Sequence, residues 1–128
     1  MNKDNQYERN NETKEITKNV ILEKSGIEYF QSGEDELKKE RYNSALVLYF
    51  KSLISFTDLY ILQKTGNSPS SHKKRFKITK NNFPEIYNLI DKDFPFYQDS
   101  YEQIMSKELV EVIKDDAETI AKKAKIKL

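Results

Sequence analysis

Cysteine is absent from this sequence, and with it any disulfide framework, thiolate nucleophile or cysteine-ligated zinc site. Histidine occurs once, at His72, so no histidine pair can build a helical metal site. Only three glycines are present, at 26, 33 and 66, too dispersed for a phosphate-cradling Gly-rich loop. A charge excess is missing as well, since 22 basic and 21 acidic side chains nearly cancel. No global field draws in nucleic acid or a membrane surface, and any electrostatic site has to be local. The longest apolar run, Ala45 to Phe50, is far too short to span a bilayer, and MNKDNQYERNNE at the N-terminus offers no apolar segment for a secretory signal. These residues imply no cofactor and no metal, and the expected setting is the cytoplasm, without membrane attachment.

What is present is helical periodicity. A chain of 128 residues fits one domain with a real core. Residues 1–12 carry little apolar bulk and are expected to form a flexible tail, with a single helical domain over 13–128. Ile16, Val20, Ile27, Phe30 and Leu37 keep a helical spacing, interrupted by Gly26 and Gly33, and Ser25-Gly-Ile-Glu28 has the form of a capping box, so a break in the first helix is expected there. Tyr42, Ala45, Leu46, Tyr49, Leu53, Phe56 and Tyr60 form the strongest stripe, flanked by Leu48, Leu59 and Leu62, and place this second helix at the centre. Gly66 should cap it in the left-handed conformation. Ser70 or Ser71 should open a third helix anchored by Phe76, and Phe83-Pro84 a fourth that Pro95 ends. From Tyr97 to Ala124 the apolar positions stay in phase, which predicts one long helix or two collinear ones. No stretch alternates with period two. The fold class is all-α, an antiparallel up-and-down bundle of four to five helices.

Chemistry is concentrated in SPSSHKKRFKI, Ser68 to Ile78. A helix starting after Ser71 exposes backbone N–H groups and a positive dipole end, and His72 and Arg75, three residues apart, project from one face. Arg75 can grip a phosphate with its fork and His72 can donate or carry a proton, with Lys73, Lys74, Lys77 and Lys80 alongside. The same residues read equally as a solvated lysine-rich face. Asp58, in the most apolar helix, either reaches across the Gly66 loop to Arg75 or His72, or points to solvent beside Lys51 or Lys64. Asp115, Asp116 and Glu118 read as a solvated helix face rather than a carboxylate site. A Ser70 or Ser71 nucleophile with His72 lacks an identifiable orienting acid and oxyanion hole. Most of the eight tyrosines and seven phenylalanines sit at core spacing, while Tyr97 and Tyr101 are candidates for an interface.

The segment ERYNSALVLYFKSLISFTDLYILQKTGNSPSSHKKRFKI, Glu40 to Ile78, resembles the central part of archaeal and bacterial HEPN-domain proteins, and NFPEIYNLIDKDFPFYQDSY, Asn82 to Tyr101, resembles the downstream part of small archaeal members. The resemblance implies an up-and-down helical bundle that is often a homodimer. It also implies one of two activities. Many such proteins are metal-independent ribonucleases whose motif is an arginine, four to six residues of any type, then a histidine, yet Thr65, Gly66 and Asn67 occupy the places where that arginine would precede His72. Others are partners of a minimal nucleotidyltransferase and bind nucleotides or RNA. The missing motif favours a non-catalytic module that binds a nucleotide or RNA phosphate through Ser71, His72, Lys73, Lys74 and Arg75, with Asp58 behind them. The alternatives are a divergent, toxin-like ribonuclease using His72 and Arg75, and a helical protein–protein interaction scaffold.

Overall fold

A computed structural model describes residues 14–128. The expected tail over 1–12 lies outside the described residues. Five helices follow in order: α1 Lys14–Lys38, α2 Tyr42–Thr65, α3 His72–Asn82, α4 Pro84–Asp99 and α5 Lys107–Lys123. No strand occurs among the described residues, and the chain is an all-α bundle. Sequential long neighbours run antiparallel. Gly26 of α1 lies against Phe56 of α2 while Gly33 lies against Tyr49, and Phe50 of α2 meets Phe94 and Tyr97 while Tyr60 meets Phe83. Helix α2 packs on every long helix, as its apolar stripe predicts: Ala45, Leu46, Tyr49, Leu53 and Phe56 have essentially no exposure. Its length and apolarity alone, with a window mean hydropathy of 1.5, would suffice to cross a membrane, but 67% of that window is buried inside the bundle.

Helix α1 does not break at Ser25-Gly26; it continues through both glycines. The capping-box pattern there is overridden by packing. A Cβ on Gly26 would stand 2.5 Å from Cε1 of Phe56, and Ser52 Oγ donates to the Gly26 carbonyl at 2.8 Å, so the glycine is a contact point with α2 and not a helix stop. At a solvent-facing helix position Gly→Ala gains about 1 kcal/mol from propensity. Here the sign reverses: Gly26→Ala pushes the Phe56 ring out of place and is expected to lose about 1–3 kcal/mol in a urea titration. A gain in stability would show that the α1–α2 contact yields freely.

Two further expectations are corrected. Pro95 does not end α4, which runs on to Asp99. Proline removes one helical hydrogen bond, but the turn beyond it is held by aromatic packing, with Tyr97 stacked on Phe50 at 4.6 Å between ring centroids. Nor does one long helix, or a collinear pair, fill Tyr97 to Ala124. The chain turns over Ser100–Met105, where Asn43 Nδ2 donates to the Ser100 and Gln103 carbonyls at 2.8 and 2.7 Å and Asn43 Oδ1 accepts from the Met105 N–H at 2.9 Å. Ser106 then caps α5 by accepting from the Leu109 N–H. One polar side chain on α2 thus satisfies a turn that the apolar periodicity conceals.

A half-buried polar network also ties three of the long helices together. Tyr49 donates its phenol to Glu34 Oε1 at 2.5 Å, and Lys114 approaches the same oxygen at 2.8 Å, so α1, α2 and α5 meet in a satisfied hydrogen-bonded network. Burial, together with the Glu34 carboxylate, pushes the Tyr49 phenol far above its ordinary range, so it stays a donor.

Candidate functional site

The start of α3 is built as expected. Gly66 takes φ 83, its N–H bonds the Leu62 carbonyl at 2.9 Å, and the chain leaves α2 in a left-handed cap. Ser71 is the N-cap of α3, its Oγ accepting from the Lys74 N–H at 3.2 Å. Lys74 Nζ turns back to Ser70 Oγ at 3.1 Å. The loop between the two caps brings the first turn of α3 beside the last turns of α2.

There Asp58 and Arg75 meet. Arg75 Nε donates to Asp58 Oδ1 at 2.6 Å and Arg75 Nη2 to Oδ2 at 2.9 Å, a fork-on-carboxylate pair with each side chain only 12% exposed. Of the two readings open for Asp58, pairing across the Gly66 loop is the one found. His72 joins the same cluster through Nδ1, 2.9 Å from Arg75 Nη1. Because a guanidinium only donates, Nδ1 must accept, and the imidazole is neutral with its proton on Nε2. Burial, then the Arg75 cation, hold the His72 pKa below its ordinary value, with Asp58 opposing. The ring packs edge-on to Phe76 at 4.7 Å and tilted to Phe94 at 4.4 Å, and Nε2 is enclosed without a hydrogen-bond partner.

This arrangement changes the roles read from the sequence. His72 and Arg75 do share a face, but the fork expected to grip a phosphate already grips Asp58, and the expected proton carrier has one nitrogen engaged and the other enclosed. The accessible charge is instead on the lysines. Lys73, Lys74, Lys77 and Lys80 are exposed, and none makes an ion pair among the described residues. Helix α3 contains these four lysines and Arg75 and no carboxylate. Ser71 is spent on its cap.

Beside this cluster lies a cleft of about 540 Å³, bounded by His72 and Arg75, the aromatic rings of Tyr29, Phe50, Phe94 and Tyr97, and Lys51 on α2. Lys51 Nζ sits 5.9 Å from the centre of the Tyr29 ring. Of the interface candidates, Tyr97 is half-buried and bonded through its hydroxyl to that of Tyr101 at 3.1 Å, while Tyr101 is 71% exposed.

A second cluster escaped the sequence reading. Asp116 is not on a solvated face with Asp115 and Glu118; it is 9% exposed and faces Asp93 of α4, which is fully buried with neither oxygen hydrogen-bonded. Lys92 Nζ closes the group, 2.9 Å from Asp116 Oδ2 and 3.9 Å from Asp93 Oδ1. The signal was present. Asp93 continues the Ile86, Ile90 spacing, and Asp116 lies within Ile113, Ala117, Ile120, so both carboxylates stand in apolar stripes. Among the described residues no group of three or more acidic or histidine side chains is placed to hold a metal ion.

No protein-family model matches the chain, and no curated protein matches it either.

Proposed function

We propose that the chain is a non-catalytic, HEPN-like helical module that binds the phosphate of a nucleotide or of RNA along α3. In this reading it works in the cytoplasm as a homodimer, beside a minimal nucleotidyltransferase. The observation that carries the phosphate reading is the composition and placement of α3: four exposed lysines without carboxylate partners on one short helix, in a protein whose total charge is nearly balanced. Such a local cationic strip attracts phosphate oxygens without regard to base sequence. The Asp58–Arg75 pair contributes indirectly, by fixing α3 against α2 so that the strip is presented rigidly. The engaged Nδ1 and enclosed Nε2 of His72 favour the binding module over the ribonuclease, since general acid–base catalysis needs a nitrogen within reach of the substrate.

The test is binding of a labelled single-stranded RNA across a salt series in EDTA, with its integrity followed in the same samples. Intact RNA is expected. The Lys73→Ala, Lys74→Ala, Lys77→Ala triple variant should bind at least about tenfold more weakly, with a salt slope reduced by roughly two, as three lost phosphate contacts require. Cleavage abolished by His72→Ala would replace the module with a ribonuclease. Equal binding by wild type and the triple variant would leave the scaffold reading.

A further inference from the structure

Helices α1 and α4 both pack on α2, and between them the cleft of about 540 Å³ stays open as a slot, with Tyr29 on the α1 wall, Phe94 and Tyr97 on the α4 wall and Ile54 of α2 at its floor. The three wall rings are only half-buried. They do not close on one another, because the α4 wall is already held from within: Tyr97 stacks on Phe50 at 4.6 Å, and the His72 ring lies 4.4 Å from that of Phe94. A concave, mostly apolar slot of this size with a few polar groups on its walls has the form of a small-molecule site.

The polar groups of the slot are few and unspent. Ser55 Oγ and the Tyr29 phenol make no hydrogen bond among the described residues, and solvent reaches both. Its charge has one sign. Lys51 and Arg75 line it and no carboxylate does. Arg75 is neutralised by Asp58 behind it, and His72 is uncharged because its Nδ1 accepts from Arg75, so the net charge is that of Lys51 alone. Lys51 is exposed at the lip of the slot, its Nζ 5.9 Å from the centre of the Tyr29 ring, and it makes no ion pair among the described residues.

We infer that this slot binds a small planar aromatic acid, with the ligand ring between Tyr29 and the Phe94–Tyr97 wall and its carboxylate on Lys51. Stacked or edge-on contact with the wall rings holds the aromatic part, and a charge-assisted hydrogen bond holds the acid. The spacing selects the class. Because Lys51 Nζ stands alongside the Tyr29 ring, the anionic group has to be attached at the edge of the ligand ring, directly or through a bond or two. A nucleotide puts a ribose between base and phosphate and would carry its charge past Lys51. A cationic ligand would face Lys51 with no carboxylate to offset it. The inference goes beyond the phosphate strip and uses none of the lysines of α3.

The probes are naphthoate and its uncharged isostere naphthamide, each titrated into the isotope-labelled full chain and followed by amide and aromatic NMR shifts. Naphthoate should saturate at millimolar concentration or below, with the largest shifts at Tyr29, Ile54, Ser55 and Tyr97. Naphthamide should bind about fivefold more weakly, the share of one ion pair at an exposed lysine. Lys51→Met keeps the apolar stem and removes the charge at an exposed position, so the fold is not at stake and the two probes should bind this variant equally. Ser55→Leu, which fills the floor, should weaken both. The Lys73→Ala, Lys74→Ala, Lys77→Ala variant should bind naphthoate as wild type does, which separates this site from the α3 strip. No saturation, shifts centred on α3, or a preference for naphthoate that survives Lys51→Met would overturn the site. AMP binding the same residues more tightly than naphthoate would overturn the aromatic acid in favour of a nucleotide.

Discussion

Asp58→Ala is expected to cost about 3–5 kcal/mol of folding stability at neutral pH, a large loss for a single exchange. The Arg75 guanidinium is 12% exposed and donates two hydrogen bonds to the Asp58 carboxylate at 2.6 and 2.9 Å. Removing the carboxylate leaves a fixed cation in a mostly desolvated position, with only the His72 ring as partner. The pair's net worth is much smaller than the cost of breaking it, because both charges were already taken from water. Replacing the two together, Asp58→Leu with Arg75→Leu, should therefore return most of the lost stability, and urea titrations of the three chains measure the difference. A loss below about 1 kcal/mol for Asp58→Ala would mean that Arg75 relaxes into solvent and that the pair does not fix α3. His72 provides a second readout. Asp58 is the one group that raises its pKa against burial and the Arg75 cation, so in Asp58→Ala its titration, followed by NMR, should move further down.

Much of this structure was legible in the sequence where a single element decides. The α2 stripe, the Gly66 cap, the Ser71 cap and the Pro84 start each depend on residues within a turn or two, and each is found where the spacing put it. The Asp58–Arg75 contact was also readable, because only the short Gly66 loop separates its partners. What was not readable depends on two elements at once. Gly26 looks like a break until Phe56 is known to lie on it. Pro95 looks like an end until Tyr97 is known to stack on Phe50, and the turn after Asp99 is hidden because its hydrogen bonds come from Asn43. At the candidate site the spacing was enough to put His72 and Arg75 on one face, but not to show what each side chain already holds. Nothing in the sequence says that Arg75 spends its fork inside the protein, which moves the accessible charge to the lysines beside it.

The buried acid pair should make the protein less stable as the solution becomes more alkaline through neutrality, which is the reverse of ordinary acid denaturation. Asp93 has no exposure and neither of its oxygens is hydrogen-bonded; the charged groups acting on it are Asp116 of α5 and Lys92 of its own helix. Burial first, then the neighbouring Asp116 carboxylate, push its pKa up from 3.8 to about 8, with Lys92 opposing. The folded chain therefore keeps a proton over a range where the unfolded chain has released it. With more protons bound to the folded state, stability falls as pH rises between about 4 and 8. At its steepest the slope approaches 1.4 kcal/mol per pH unit, the limit for one proton, and it flattens above the folded pKa. Asp93→Asn removes the titration and keeps an uncharged polar group of the same shape facing Asp116. That variant should lack this slope and be the more stable chain at pH 8, whereas Lys92→Met should lose stability and shift the steep region upward. Urea titrations at a series of pH values settle the matter: a wild-type profile that rises from pH 4 to 8, or one unchanged by Asp93→Asn, would mean that Asp93 is ionised in the folded protein and finds its compensation elsewhere.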